Sequence, residues 1–180
     1  MERKNFIQVL ESVSIDTQRE YRRLLTMFYE DHPPFGSVAD EVEEQFHKIP
    51  FKGTCISLDD FDETYGFRFE ENPRNFDLNY LVIFCEYCYN FCMYTGHKLI
   101  VEQVERVLEK INYQITPIDG KWIFTEKSAA VTSVAEIVPP HVAAKMLEYN
   151  HHSLKGNINQ KQKILKDMAD YIEPREKELA

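Results

Sequence analysis

Apolar residues recur every three or four positions along much of the chain, and this is the spacing of one face of an α-helix. The pattern predicts helices over residues 4–13, 16–28, 38–46, 100–111, 131–138, 142–156 and 158–172. Ser37 and Asp40 have the spacing of a capping box, which predicts the start of the third helix. Glu173-Pro174 should break or kink the last helix, because proline lacks the N–H that a helix interior needs.

Residues 76–94 are the most apolar segment, and their hydrophobic side chains cover nearly every side of a helix. A helix of that kind lies at the centre of a core. Glu86 and Asn90 interrupt the apolar run, which is shorter than the roughly 20 residues needed to span a membrane. We therefore predict a central buried helix that stops at Gly96, and a protein that makes no membrane contact.

One β-hairpin is predicted over residues 113–124. Alternating apolar residues flank Asp119-Gly120, and both turn residues tolerate a positive φ. A second, shorter hairpin is expected from the alternation in Thr54–Leu58 and Tyr65–Phe69. The elements together predict a mainly α-helical α+β fold, in which the apolar helix at 76–94 is central and the first hairpin packs against one side.

The length of 180 residues and the 43% hydrophobic content suit one domain over residues 1–180. Gly53, Gly66 and Pro73 punctuate an irregular stretch, so a soft boundary is expected near residues 50–75. Because the sequence ends within a charged run, one alternative is that the chain is the N-terminal part of a longer protein.

The chain has 30 acidic and 21 basic residues, for a formal net charge of −9. This balance excludes a nucleic-acid footprint over the whole domain, although a local basic patch stays open, and it disfavours anionic lipid. The first residues lack the apolar core of a signal peptide. Three of the four cysteines crowd into one segment, unlike a secreted disulfide framework. We therefore expect a cytoplasmic protein with free thiols.

Cys85, Cys88, Cys92 and His97 are four residues of zinc-ligand type close together in sequence. The cysteines follow one another at i, i+3 and i+7 on a predicted helix, where a rigid backbone hardly presents all three to one ion. Buried free cysteine also behaves as a small hydrophobic residue. We expect core packing and neither metal nor cofactor, with a zinc-stabilised domain as the alternative.

Two charged clusters are candidate binding surfaces. An acidic segment offers oxygen ligands for a hard cation, but its spacing is not that of an EF-hand, and docking of a basic partner is the stronger interpretation. Its members are Asp59, Asp60, Asp62, Glu63, Glu70 and Glu71. The basic cluster Arg19, Arg22 and Arg23 is expected to be a solvated helix face rather than a phosphate site.

His151 and His152 follow Glu148 at a predicted helix end, and imidazole near its ordinary pKa can act as a general base. These three residues are the alternative catalytic set, and helix termination is the structural interpretation. Lys155 and Trp122 are the candidate binding residues. The sequence has no Gly-rich phosphate loop, no G-x-S-x-G and no H-E-x-x-H, so we predict no catalytic residue as the first choice.

The C-terminal part contains a helix, a Tyr-x-Ile…Asp-Gly-Lys hairpin and a helix in VERVLEKINYQITPIDGKWIFTEKSAAVTSVAEIV. It continues with KMLEYNHHSLKGNINQKQKILKDMADYIEPREKEL. Residues 99–179 thus resemble the N-terminal module of bacterial abortive-infection proteins of the AbiJ kind and other HEPN-associated proteins. The resemblance implies a sensing or binding module, with nuclease chemistry in a separate HEPN part. The Arg/His motif of that part is absent, so no catalytic residue carries over.

Two classes of function remain open. The first is a non-enzymatic interaction or sensor module, self-associating or bound to a protein partner, in a bacterial defence protein. The surface-prone tyrosines among the 13% aromatic residues favour it. The second is a metal- or nucleic-acid-dependent enzyme such as a nuclease, using the region of His151 and His152.

Overall fold

A computed structural model describes residues 15–34, 36–118, 120–128, 138–151, 154 and 156–176. The chain adopts a mainly α-helical α+β fold, with seven α-helices and one two-stranded hairpin in these ranges. It divides into two compact units, Met1–Ile111 and Asn112–Ala180. The helices predicted over 4–13 and 131–138 lie outside the described residues.

Five helices build the described part of the first unit. They are α1 (Thr17–Tyr29), α2 (Val38–Gln45), α3 (Leu58–Tyr65), α4 (Leu78–Thr95) and α5 (Lys98–Lys110), with a 3₁₀ turn at Phe46–Lys48. The prediction of a central apolar helix is confirmed: ten of the 18 residues of α4 are buried, and α1, α2 and α5 all pack on it. Tyr21 and Phe84 meet edge to face, with ring centroids 5.2 Å apart.

Helix ends in this unit follow from local hydrogen bonds. The Asp16 side chain accepts from the Arg19 N–H at 3.0 Å and begins α1. The predicted capping box of Ser37 and Asp40 is confirmed at the start of α2. The predicted stop at Gly96 is also confirmed, because its φ of +86° is the left-handed conformation that ends a helix.

The hairpin expected over Thr54–Leu58 and Tyr65–Phe69 is wrong, because α3 occupies Leu58–Tyr65. The Ser57 side chain accepts from the Asp60 N–H, and Glu43 Oε2 accepts from the Leu58 N–H at 2.6 Å. These bonds satisfy N–H groups that a first helical turn leaves without partners. The acceptor Glu43 belongs to α2, 15 residues before Leu58, so the local sequence pattern could not predict this bond.

The second unit contains the predicted hairpin, with β1 (Tyr113–Ile118) antiparallel to β2 (Lys121–Glu126). Two helices follow, α6 (Pro140–Tyr149) and α7 (Ile158–Glu176), which pack on each other. The sixth helix is shorter than predicted, because the chain turns after Tyr149 and His151 forms an isolated bridge with Thr125 of β2. The expected break at Pro174 is also absent, since the backbone stays helical to Glu176.

Substitution of Gly120 tests the hairpin turn. Its φ is +75°, and a β-branched side chain resists this conformation. Gly120→Val should lower the free energy of unfolding by about 1–2 kcal/mol, measured by thermal or chemical denaturation. Gly120→Asn is the matched control and should cost less, because asparagine tolerates positive φ. Equal stability of the Val variant and the wild type would contradict the turn.

Candidate functional site

The three cysteines of α4 lie in the core. Cys85, Cys88 and Cys92 are each fully buried. Burial raises the pKa of all three thiols, so they stay protonated at neutral pH. A reactive cysteine needs a thiolate, so these three thiols are packing groups rather than nucleophiles in this environment.

His97, the fourth residue of the zinc alternative, has a different partner. Its Nε2 lies 3.2 Å from Glu41 Oε2, within ion-pair distance but without hydrogen-bond geometry. Nowhere in the described ranges do three or more His, Cys, Asp or Glu side chains gather in a way that could hold a metal ion. The structure therefore does not bring the cysteines and His97 together as a ligand set.

The alternative catalytic set is described only in part. The His151 N–H donates to the Glu148 carbonyl at 3.0 Å, so both residues belong to the turn that ends α6. Lys145 Nζ lies 3.1 Å from the Glu148 carboxylate and 3.9 Å from that of Asp167 on α7. Glu148 thus takes part in an ion-pair network between two helices. His152 and the candidate binding residue Lys155 lie outside the described residues.

Trp122, the other candidate binding residue, is half-buried on β2 opposite Pro117. Two members of the arginine cluster on α1 form polar contacts. Arg22 donates a hydrogen bond to Asn72 at 2.9 Å, and Arg23 forms an ion pair with Glu20 at 3.0 Å. Such contacts are typical of a solvated helix face.

Two carboxylates of the acidic segment form hydrogen bonds within the fold. Asp60 accepts from the Ile56 N–H at 2.9 Å, and Asp62 accepts from the Tyr87 hydroxyl at 3.2 Å. Asp59 and Glu63 are exposed on α3, and Glu70 and Glu71 are exposed beyond it. The segment is therefore an acidic surface around a short helix rather than a preformed oxygen cage.

A continuous aromatic surface lies at this same helix, and we call it the aromatic ledge: Phe51, Tyr65 and Tyr94. The Phe51 ring lies 5.8 Å from that of Tyr94 and 6.2 Å from that of Phe61. Phe61 in turn lies 4.6 Å from Tyr65. Tyr65 is 54% exposed and Tyr94 37%, whereas Phe61 is buried beneath them. The ledge is thus a solvent-exposed aromatic surface next to a buried aromatic ring.

Gly53 allows the loop that carries Phe51 to approach Tyr65. Its φ is +60°, and a Cβ atom at this position would lie 3.2 Å from the Tyr65 hydroxyl oxygen. A side chain at position 53 would be strained and would push on Tyr65. The glycine therefore helps to set the shape of the ledge.

The helix that carries Tyr65 is negatively charged. The eight residues of α3 include Asp59, Asp60, Asp62 and Glu63, and no basic residue. A helix of this length is only about 12 Å long, which is comparable to a Debye length in physiological salt. The carboxylates of α3 therefore impose a negative potential on the part of the ledge around Tyr65. The sequence could not point to the ledge, because its three members come from a loop and two helices 14 to 43 residues apart in the chain.

Neither a family model, nor a curated protein, nor a solved structure matches this chain. No helix in the described part of the chain combines the length and the apolar character needed to cross a membrane.

A pair of substitutions tests the interpretation of the α4 cysteines as packing residues. Cys88→Ala should destabilise the protein by about 1 kcal/mol, because it leaves a small cavity. Cys88→Ser should cost more, because it buries a hydroxyl group that needs a hydrogen-bond partner. Chemical denaturation measures both, and metal analysis of the purified wild type accompanies it. Stoichiometric zinc that is lost in the Ala variant would overturn the interpretation.

Proposed function

We propose that this chain is a non-enzymatic protein-interaction module that binds its partner through the aromatic ledge. The observation that carries the proposal is the half-exposed pair Tyr65 and Tyr94, joined through Phe51 and Phe61 by ring distances of 4.6–6.2 Å. Tyrosines of this kind offer large apolar area and a hydroxyl with little side-chain entropy to lose. Aromatic residues on a rigid base are the usual anchors of protein interfaces.

The negative potential around α3 selects the kind of partner. A basic segment that also carries apolar side chains complements both properties of the surface. Lysine or arginine side chains can lay their methylene groups on the tyrosine rings and place their charge near the carboxylates. Asp59 and Glu63 are exposed and suit long-range attraction, which speeds association more than it strengthens the complex.

The resemblance of residues 99–179 to the AbiJ kind of protein supports a biological setting for this proposal. We place the module in a bacterial defence protein of the cytoplasm, where it senses or binds a protein component. In that setting, nuclease chemistry belongs to a separate part.

A peptide selection tests the proposal directly. We expect random 12-residue peptides displayed on phage and selected on the purified protein to be enriched in Lys or Arg together with apolar residues. The enriched peptides should bind the Tyr65→Ser, Tyr94→Ser double variant at least tenfold more weakly by fluorescence polarisation, because the anchors are lost. Their affinity for the wild type should also fall as salt rises.

Leu99→Ser is the matched control, because Leu99 is 75% exposed on α5 and does not belong to the ledge. The affinity of the Leu99→Ser variant for the same peptides should equal that of the wild type. Peptides that bind the double variant as tightly as the wild type would refute the ledge as the docking surface. Cleavage of RNA by the purified protein, abolished in a Glu148→Gln, His151→Ala variant, would favour the nuclease instead.

A further inference from the structure

Asp62 on α3 places its carboxyl group against the aromatic core. The hydroxyl of Tyr87, a side chain of α4 that is only 5% exposed, donates to Asp62 Oδ2 at 3.2 Å. The other oxygen, Oδ1, is buried and has no hydrogen-bond partner. An ionised carboxylate normally accepts several hydrogen bonds, so this site satisfies the charged form poorly.

The groups around Asp62 do not supply a compensating positive charge. From α1 it faces the Tyr29 phenol, which interacts with the Tyr87 hydroxyl. From α4 it faces Tyr87 itself, with the neutral Cys88 thiol close to both tyrosines. From its own helix the nearby charge is that of Asp59, which has the same sign. Within the described part of the chain, Asp62 forms no ion pair.

These surroundings change the pKa of Asp62. Burial raises the pKa of Asp62 to about 6, the like charge of Asp59 adds to the rise, and the Tyr87 hydrogen bond opposes it. An aspartate in an unfolded chain has a pKa of about 3.9. The folded state therefore binds the proton more tightly than the unfolded state. The resulting stabilisation is complete below about pH 4 and is lost as the pH rises through about 6.

Helix α3 is well placed to respond to this change. It has eight residues, too few to be stable without tertiary contacts. The backbone carbonyl of Asp62 also accepts the N–H groups of Gly66 and Phe67, the latter at 2.9 Å, and these bonds end the helix. The backbone of Asp62 thus ends α3, and the side chain of the same residue contacts Tyr87 on α4.

We propose that the Asp62 carboxyl group is a proton-linked latch: its neutral form fits the buried site beside Tyr87 and holds α3 against α4. Release of the proton to solvent leaves a charge there with only the Tyr87 hydrogen bond to stabilise it, and this loosens α3 together with Tyr65, which it carries. The latch requires only the residues named here, and it does not depend on the identity or existence of a partner for the ledge.

The first test needs no substitution. The carboxyl carbon of Asp62, followed by NMR in protein labelled with carbon-13, should titrate with a midpoint about two pH units above that of an ordinary aspartate. In the same samples, amide hydrogen exchange of α3, corrected for intrinsic rates, should quicken between pH 5 and pH 7.5. Exchange of the α5 amides that open locally, without global unfolding, should stay constant. An ordinary midpoint near pH 4 would overturn the proposal.

Asp62→Asn, a neutral isostere of the protonated side chain, provides the second test. Between pH 5 and pH 7.5, the unfolding equilibrium constant should rise about tenfold more in the wild type than in this variant. This factor follows from a pKa of about 6 for Asp62 in the folded state and of about 3.9 in the unfolded state. At pH 7.5 the variant should be the more stable protein and should keep α3 protected. The proposal fails if α3 loses protection with pH in the variant as much as in the wild type.

Two further variants separate the latch from a general charge effect. Asp59→Asn removes the neighbouring exposed charge and should leave most of the pH dependence in place. Tyr87→Phe removes the one hydrogen bond that stabilises the charged form, so the midpoint of Asp62 should move to a higher pH. A midpoint that stays constant or falls in Tyr87→Phe would show that Tyr87 does not act on Asp62.

Discussion

The burial of α4 is the constraint on which the first unit depends. A helix that is apolar on nearly every side is stable in water only when other elements cover it, and α1, α2 and α5 do so. The coverage is largely aromatic: the rings of Tyr21, Phe84 and Tyr87 contact further rings from α1 and from the chain around α3. Because aromatic pairs prefer defined edge-to-face and offset geometries, this core specifies positions as well as burial.

The same constraint explains the protonated state of the cysteines in α4. Cys85, Cys88 and Cys92 occupy positions that face neighbouring helices, where the small thiol fits and stays protonated. Tyr87 is different, because its ring packs in the core while its hydroxyl reaches the carboxyl group of α3. This hydrogen bond joins the core to the acidic segment.

Helix α3 links the two proposals without making either depend on the other. It supplies Tyr65 to the ledge and Asp62 to the contact with Tyr87, and its first turn relies on Glu43 from α2. An element held by so few contacts responds to small changes in free energy, which is the usual property of segments that bind or switch. Glu43 lies outside the acidic segment, whose members Asp59, Glu63, Glu70 and Glu71 are exposed.

The sequence by itself determined the elements whose signals are local. Periodicity placed α4 and α5, a cap at Ser37 placed the start of α2, and an Asp-Gly turn placed the hairpin, because each rests on hydrogen bonds or side chains within a few residues. Only the tertiary structure decided α3, the ledge and the environment of Asp62. Their causes join residues far apart in the chain: Glu43 with Leu58, Phe51 with Tyr94, and Asp62 with Tyr87. Burial and partner geometry arise from such contacts, and no local pattern encodes them.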